Sequence, residues 1–242
     1  MLYIGTVAHN HAATVGLLLW KVRRVLHDTP REYQFLVVDD GSTDGTLELL
    51  EPYQRALPLT VYRRDESYGW SRGVDLLGRE ALKRSDRPRR DALVIFPADF
   101  SCTPEALPEL VKRLDSGVDF AVGEAPNTGA TRMERLVRRW APRLVGAGLR
   151  VEGVQDILSG CFAVRLVCVK QALNERPRLL ETEGVPARAE CIARLGQQAR
   201  QVSTVSLPPA PQMAPPLAPF QTALDLYRAG RQLRLPAPVA TA

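Results

Sequence analysis

The run VVDDGSTDGT, Val37 to Thr46, constrains the fold of this chain more than any other stretch. Four apolar residues, Phe35 to Val38, predict a buried strand that ends in Asp39 and Asp40. A glycine and polar residues then predict a turn before a helical pattern begins at Thr46. Ligands bind at the carboxyl ends of strands in open α/β sheets, so the two acids are candidates for contacts with ribose hydroxyls or the N–H groups of a base. The alternative is a capped strand–turn–helix unit whose acids face solvent.

The first half of the chain alternates short apolar strand patterns with helical patterns. Strands are predicted at Leu2–Val7, Gln34–Val38, Leu59–Arg63 and Ala92–Phe96. Helices are predicted at Thr14–Leu26, Gly45–Ala56, Trp70–Lys83 and Pro104–Leu114. Strands separated by helices form βαβ units, so we expect an α/β fold with a mostly parallel sheet flanked by helices.

The second half is less regular and is expected to complete the same domain. Its strands are predicted at Phe120–Gly123, Gly160–Val164 and Arg200–Leu207, and its helices at Thr131–Leu144, Leu166–Leu173 and Ala187–Leu195. Residues 1–207 are assigned to one domain, 208–219 to a proline-rich linker, and 220–242 to an amphipathic helix with a tail. This last helix, predicted at Phe220–Leu235, either packs back on the domain or lies on a membrane surface.

The composition is typical of a globular protein of one α/β domain, with 242 residues, 45% of them hydrophobic and 24% charged. The chain has no apolar run long enough to span a bilayer, and it opens in a strand-like LYIGTVA rather than a signal peptide, so we expect a cytoplasmic location. The net charge is +5, and no recognised DNA- or RNA-binding motif appears among the basic segments, which argues against nucleic acid as a partner. Four single cysteines are expected to be buried, reduced thiols: Cys102, Cys161, Cys168 and Cys191.

Two later runs extend the argument from the opening motif. IFPADFSCTPE, Ile95 to Glu105, follows the fourth predicted strand, and DILSGCFAVR begins at Asp156. With VVDDGSTDGT, these runs resemble the inverting family 2 glycosyltransferases of GT-A fold, and among them the dolichyl-phosphate mannose synthase-like enzymes. The resemblance covers about residues 2–207. It implies a nucleotide-diphosphate sugar as donor, inversion at the anomeric carbon, and often a polyprenyl-phosphate acceptor.

The resemblance also implies where a nucleotide would bind. In the synthases the first strand leads into Pro-x-Tyr-Asn-Glu, whose residues line the base. This chain keeps Asn10 and places Val7, His9 and His11 at the other positions. The nucleotide-binding residues implied are Val7, His9, His11, Val38, Asp40, Gly69 and Ala98. The two histidines also leave open a metal site completed by Asp40 or Asp99.

The run at Ile95 to Glu105 resembles DADLSxxP, in which two acids hold a divalent metal on the donor diphosphate. Here the second acid is kept as Asp99, whereas the first is Pro97, which offers no side-chain ligand. One carboxylate and the substrate phosphates can still hold Mg²⁺ or Mn²⁺, with weaker affinity than two acids. The resemblance therefore implies a catalytic and metal-binding role for Asp99.

The run at Asp156 resembles the synthase stretch D-x-x-S-G-x-x-x-x-x-R. Asp156 is a candidate general base for a hydroxyl acceptor, whereas a phosphate acceptor needs none because it is already ionised. The alternative is an acid that caps the turn before Ser159. The synthases also carry basic residues after the strand that here ends in Val122-Gly123-Glu124, and in the loop that here reads Pro208-Pro209-Ala210-Pro211. Arg132 and Arg135 are expected to bind the phosphates in their place.

Two functions follow for the whole chain. The first is a glycosyltransferase that moves a sugar from a nucleotide-diphosphate sugar to an acceptor, such as a lipid phosphate reached from the inner face of the membrane. The second is a catalytically impaired GT-A domain that binds nucleotide sugars or acts as a scaffold. Pro97 and the two lost basic positions are the reasons for the second. A further motif, Glu190 with Arg194, fits a helix ion pair at i and i+4.

Overall fold

The computed structural model describes residues 1–27, 31–124, 132–145, 151–208 and 218–233. These residues form an α/β domain around a seven-stranded sheet in the order β3-β2-β1-β4-β6-β5-β7. The strands are β1 (Leu2–Ala8), β2 (Tyr33–Asp40), β3 (Leu59–Arg64), β4 (Ala92–Ile95), β5 (Phe120–Glu124), β6 (Phe162–Arg165) and β7 (Val202–Ser206). Every strand predicted from the sequence is present, and their ends differ from prediction by one or two residues.

The helices also agree with the sequence patterns. They are α1 (Ala12–Leu26), α2 (Thr46–Ala56), α3 (Trp70–Arg84), α4 (Leu107–Asp115), α5 (Arg132–Leu144), α6 (Leu166–Glu175), α7 (Val185–Gln198) and α8 (Pro219–Gln232). The helix predicted at Pro104–Leu114 is split into a short 3-10 turn at Pro104–Ala106 and α4. The split has a local cause, because Pro108 lacks the N–H that would bond to the carbonyl four residues earlier.

Helices cover both faces of the sheet, and alternation along β2 assigns its residues to one face or the other. Leu36 and Val38 belong to the core under α3, α6 and α7. Phe35 and Val37 belong to the core under α1, α2 and α4. The next two residues continue this alternation, so Asp39 and Asp40 leave the end of β2 towards opposite faces.

The sheet is mostly parallel, as predicted, and β6 is the exception. It runs antiparallel to both β4 and β5, with Ile95 paired to Phe162. The chain that enters β6 therefore lies at the same edge as the chain that leaves β4. This topology brings the two motifs at Pro97 and Asp156 to one edge of the sheet.

The C-terminal helix packs on the domain, which is the first of the two alternatives for it. Leu226, Ala229 and Leu233 are buried in the core beneath α8, which lies against α5 and α7. A Cβ atom at Gly230 would lie 2.6 Å from the carbonyl oxygen of Val145, so the backbones of α8 and the end of α5 are in close contact. The predicted linker at 208–219 falls mostly on 209–217, outside the described residues.

Two further features concern helix length and the cysteines. Within the described ranges, no helix is long and apolar enough to cross a bilayer. The four cysteines are free and buried, and burial raises the pKa of the Cys102, Cys168 and Cys191 thiols above that of an exposed thiol.

Candidate active site

The loops that follow β1 and β2 are bonded to each other at the carboxyl edge of the sheet. The main-chain N–H of Asn10 donates to Ser42 Oγ at 3.0 Å, and Asn10 Oδ1 accepts from the N–H of Thr43 at 2.9 Å. The N–H of His11 donates to Thr46 Oγ1 at 3.0 Å. Asn10 has a φ of +58°, a left-handed conformation that asparagine tolerates better than most residues. The two loops therefore form one preformed unit.

The two histidines of this unit are held by main-chain groups. His9 Nδ1 lies 2.7 Å from the carbonyl oxygen of Asp40, and the N–H of His9 donates to His11 Nδ1 at 3.0 Å. His9 is exposed and His11 is partly buried, so the ring of His9 is free to stack on a ligand. Their contacts with a nucleotide stay predictions. In the described part of the chain, no three His, Cys, Asp or Glu side chains are grouped to hold a metal, which removes support from a metal site at this pair.

Asp40 is directed inwards rather than towards a cleft. It is 1% exposed. Its carboxylate accepts from Arg64 Nη1 at 2.8 Å, Ser67 Oγ at 2.8 Å, and the N–H groups of Tyr68 and Gly69 at 3.1 and 2.9 Å. Burial acts to raise the pKa of Asp40, but these hydrogen bonds outweigh it and hold the pKa below its usual value. In this structure Asp40 fixes the loop before α3, and its expected direct contact with a nucleotide stays a prediction.

Other residues of the expected nucleotide site also serve packing. Val38 is fully buried in the core, where the alternation of β2 directs its side chain under α3, and its contact with a nucleotide stays a prediction. Val7 lies so close to α3 that a Cβ atom at Gly73 would be 2.5 Å from Val7 Cγ2. Ala98 is 3% exposed. Gly69, with a φ of +89°, contributes its main-chain N–H to Asp40.

Asp39 is not among the site residues predicted from the sequence, although its environment in the structure is unusual. It is 2% exposed and points to the opposite face from Asp40. Among the described residues, neither its Oδ1 atom nor Thr6 Oγ1 on the same face has a hydrogen-bond partner. The pair of acids in the motif could not reveal which member lacks a partner, because the partners of Asp40 lie later in the chain.

Asp99 lies in a tight turn after β4. Its Oδ1 atom accepts from the N–H of Ser101 at 2.9 Å, and the residue between them, Phe100, has a φ of +58°. A buried aromatic residue in a left-handed conformation is strained, which indicates that the surrounding structure holds this turn in place. Pro97 is buried and offers no ligand. Asp99 is therefore a single partly exposed carboxylate.

Asp156 is the turn cap that the sequence allowed as one interpretation, and its role as a general base stays a prediction. Its Oδ1 atom accepts from the N–H of Leu158 at 3.2 Å, which makes it a turn cap. Its Oδ2 atom accepts from Arg138 Nη1 of α5 at 2.8 Å. The carboxylate is mostly buried and the guanidinium is partly exposed. No sequence pattern indicates this pair, since Arg138 is one of several arginines on α5.

Beside this pair lies a cavity of about 1140 Å³ between α5 and the segment that leads to β6. Both arginines predicted to bind phosphate, Arg132 and Arg135, line it. The cavity is also lined by Glu124, Arg138, Arg139, Arg143, Glu152, Gln155 and Asp156. Glu124 Oε1 accepts from the N–H of Gln155 at 2.7 Å, which fixes the wall opposite the helix. The site is therefore a cationic cleft with Asp156 at its base.

Arg188 of α7 is the second arginine that sequence reasoning missed. Its guanidinium lies against Gly160, because a Cβ atom there would be 3.5 Å from Arg188 Cζ and 3.2 Å from Pro97 Cγ. No local pattern joins Pro97, Gly160 and Arg188, which come from three separate parts of the chain. The late-helix motif does hold: Arg194 Nη2 lies 2.5 Å from Glu190 Oε1, as expected for an i, i+4 pair.

This sheet, with its cleft at the carboxyl edge, has the GT-A fold of glycosyltransferases. The crystal structure of glucosyl-3-phosphoglycerate synthase from Mycobacterium tuberculosis with Mn²⁺, uridine-diphosphate-glucose and phosphoglyceric acid superimposes with a TM-score of 0.65. The match has 20% sequence identity and covers 98% of this chain and 80% of that one. The chain belongs to glycosyl transferase family 2, whose sequence model matches residues 3–167.

Curated relatives include two transferases named for lipid-phosphate acceptors. The chain is 28% identical over 140 residues to a dolichol-phosphate mannosyltransferase of Pyrococcus furiosus, covering 55% of this chain and 38% of the relative. It is 29% identical over 177 residues to an undecaprenyl-phosphate 4-deoxy-4-formamido-L-arabinose transferase of Pseudomonas aeruginosa, covering 70% and 48%. The matched region thus spans less than half the length of either relative. These findings give no support to the alternative of an impaired scaffold module.

Proposed function

We propose that this chain transfers a sugar from a nucleotide-diphosphate sugar to an acceptor, with inversion at the anomeric carbon. The observation that carries the proposal is the arginine-lined cleft with Asp156 at its base, at the carboxyl edge of a family 2 sheet. The loop unit of His9 and His11 would hold the nucleoside. Arg132 and Arg135 would face the phosphates, as anionic ligands require.

The chemistry is a single displacement. The acceptor oxygen bonds to the anomeric carbon from the side opposite the diphosphate, the bond from that carbon to the diphosphate oxygen breaks, and the electron pair leaves with the diphosphate. A hydroxyl acceptor must also lose its proton, whereas a phosphate acceptor has none to lose. To accept a proton in the cleft, the Asp156 carboxylate would have to weaken its ion pair with Arg138. A phosphate acceptor suits this arrangement better.

A lipid phosphate is the acceptor that the surface of the molecule favours. The two contacting helices α5 and α8 each expose a row of large apolar side chains at helical spacing. They are Met133, Leu136 and Trp140 on α5, and Phe220, Leu224 and Tyr227 on α8. Phe220 is 81% exposed. Arginines stand between those of α5, and Arg143 lies over the ring of Trp140 at 4.8 Å. Aromatic and apolar side chains interspersed with arginines are typical of helices that lie on anionic bilayers.

Vesicle sedimentation tests this surface. We expect the protein to bind vesicles of phosphatidylglycerol and phosphatidylcholine, but not pure phosphatidylcholine, because the arginines supply part of the attraction. Changing Phe220 and Leu224 to serine should weaken binding about tenfold. Trp20→Ser on α1 is the matched control, since Trp20 is 48% exposed on another helix. Equal loss of binding in the control would contradict the assignment to α5 and α8.

Transfer itself is tested with purified protein, UDP-, GDP- and dTDP-sugars, and a polyprenyl phosphate in detergent. A glycosylated lipid should form from at least one donor, and no product from any donor would contradict the proposal. Asp156→Asn separates the acceptors. The variant should lose about 100-fold or more in rate if the acceptor is a hydroxyl, and about tenfold or less if it is a phosphate. Thermal unfolding of the variant shows whether the fold is kept.

A further inference from the structure

Arg188 is a partly buried arginine of α7. No hydrogen bond or ion pair joins it to another residue in the described part of the chain, although the arginines Arg64 and Arg194 of similar or greater burial both pair with acids. Burial lowers the pKa of Arg188, against the opposing charges of Asp99 and Asp156. The transfer of an unpaired charge out of water costs free energy, so an unpaired guanidinium at a partly buried position indicates a functional role.

The position of this guanidinium is fixed by three separate segments. Arg188 lies in the first turn of α7, and its Cζ and Nε atoms would be 3.5 and 3.7 Å from a Cβ atom at Gly160. The same Cβ atom would be 3.2 Å from Pro97 Cγ, so the proline ring and the guanidinium both border Gly160. The pairing of Ile95 with Phe162 places Pro97 opposite Gly160 across the antiparallel strands. A larger residue at 160 would displace Arg188.

The residues around Asp99 do not fit a divalent cation. Pro97 stands where the resemblance has the first acid, so Asp99 is the single acid of this run, and its Oδ1 atom already accepts from the N–H of Ser101. The guanidinium of Arg188 borders Gly160, as the ring of Pro97 does. Arg138 adds a second positive charge close enough to act on Arg188. A divalent cation here would have one protein carboxylate as its ligand and two guanidinium groups nearby, whereas hard cations favour several oxygen ligands.

We propose that Arg188 and Arg138 bind the diphosphate of the donor in the place of a divalent metal, a proposal that rests on the function proposed above. A guanidinium matches two phosphate oxygens with parallel hydrogen bonds and keeps its charge at all relevant pH values. As the bond between the anomeric carbon and the diphosphate oxygen breaks, the electron pair passes to the diphosphate. The two arginines stabilise the added charge. The ion pair with Asp156 holds Arg138 in position. Pro97 occupies the position that the first acid has in the synthase motif.

Calorimetry with UDP, GDP and dTDP tests this directly, in buffer with EDTA and in buffer with Mn²⁺. The wild-type protein should bind at least one diphosphate with an affinity that differs less than about threefold between the two buffers. Binding that requires Mn²⁺ would overturn this proposal and leave the proposed function standing. No binding in either buffer would overturn the proposed function, and this proposal with it.

Three variants assign the binding to the arginine. Arg188→Gln should weaken binding in EDTA about 10- to 100-fold, and Arg188→Lys should lose less because it keeps the charge without the fork. Arg55→Gln on the exposed face of α2 is the matched control and should bind like wild type. Unchanged affinity in Arg188→Gln would overturn the proposal. Thermal unfolding identifies a variant that fails to fold, in which case Arg188→Lys decides.

A double variant tests the link between Pro97 and Arg188. Pro97→Asp with Arg188→Gln supplies the missing acid and removes the competing cation. We expect this protein to bind the diphosphate weakly in EDTA and about tenfold or more tightly with Mn²⁺. The single variant Pro97→Asp keeps the guanidinium and should gain little from Mn²⁺. A single variant that gains as much as the double one would show that the guanidinium does not occupy the place of the metal.

Discussion

The site proposed above has a nucleoside end, at the loops after β1 and β2, and a phosphate end, at the arginines of α5 and α7. The two ends differ in where their polar groups find partners. At the nucleoside end, the loops after β1 and β2 bond to each other, and Asp40 takes its hydrogen bonds from four groups of the same chain. At the phosphate end, the arginines Arg132, Arg135 and Arg188 make no hydrogen bond or ion pair with any other described residue. Arg138 alone is paired.

This difference separates side chains whose hydrogen bonds stabilise the folded loops from side chains that are available to bind a ligand. An internal hydrogen bond to a buried charge contributes to stability in the absence of ligand, since removing one partner leaves the other desolvated and unpaired. An exposed arginine without a partner contributes almost nothing to stability and is available to an anion. Substitutions at the nucleoside end should therefore lower the free energy of unfolding, and those at the phosphate end should lower ligand affinity.

Asp40→Ala is expected to have the largest effect on stability. It removes a carboxylate that is 1% exposed and leaves Arg64 and the N–H groups of Tyr68 and Gly69 without their acceptor. We expect a loss of about 3–5 kcal/mol in the free energy of unfolding. Urea unfolding measures it. Asp65→Ala, at an exposed acid on the neighbouring loop, should change stability by less than about 0.5 kcal/mol, and similar losses in both variants would break the comparison.

Gly41→Ala should follow, with a loss of about 3 kcal/mol in the free energy of unfolding. Gly41 has a φ of +69°, and a Cβ atom there would lie 2.6 Å from the main-chain carbon of Glu66, which cannot move aside as a side chain could. Gly45→Ala is the control for backbone conformation alone. Gly45 has a φ of +87° but only Glu48 Oε2 nearby, at 4.0 Å, so we expect about 1 kcal/mol. Equal losses would show that the close contact at Gly41 is relieved in the variant.

The nucleoside end was also the easier end to predict from the sequence. Val37 to Thr46 contains the strand, the turn and the start of the helix within ten residues, so the local pattern fixes all three. The partners of Asp40 lie 24 to 29 residues further on and become visible only when β3 folds beside β2. Arg188 was harder still. Its position beside Gly160 depends on the antiparallel direction of β6. The sequence pattern predicts β6 as a strand but does not predict its direction.

A third prediction concerns the stability of the fold at acid pH and depends on Glu80 of α3. Glu80 on α3 accepts from Lys83 and Arg84 at 2.7 Å and from Tyr62 at 2.9 Å, and these hydrogen bonds, that of Lys83 first, lower the pKa of Glu80 to about 2. Because the folded pKa lies below the unfolded value of 4.5, its contribution is complete above pH 4.5 and is lost as the pH falls towards 2.

Glu80→Gln should therefore lower the free energy of unfolding at pH 7 by about 1–2 kcal/mol, allowing for solvent screening of the ion pairs. The difference from wild type should shrink as the pH falls below 4.5, because wild type then loses the same interaction. Urea unfolding at pH 7, 4 and 3 measures this trend. A difference that stays constant across the three pH values would show that packing at position 80, rather than charge, is what the variant changes.

The smallest effect on stability is expected at the phosphate end, where substitutions should instead lower the affinity for the ligand. Arg132→Gln with Arg135→Gln removes two arginines that line the cavity without partners in the described residues, so the free energy of unfolding should change by less than about 0.5 kcal/mol. Affinity for the nucleoside diphosphate should fall about tenfold, and its dependence on salt should become weaker because fewer charges are screened. Calorimetry at two salt concentrations, with Arg55→Gln as control, measures both. A different result would contradict this prediction: the double variant loses as much stability as Glu80→Gln and binds the nucleoside diphosphate normally. Arg132 and Arg135 would then stabilise α5 rather than bind the ligand.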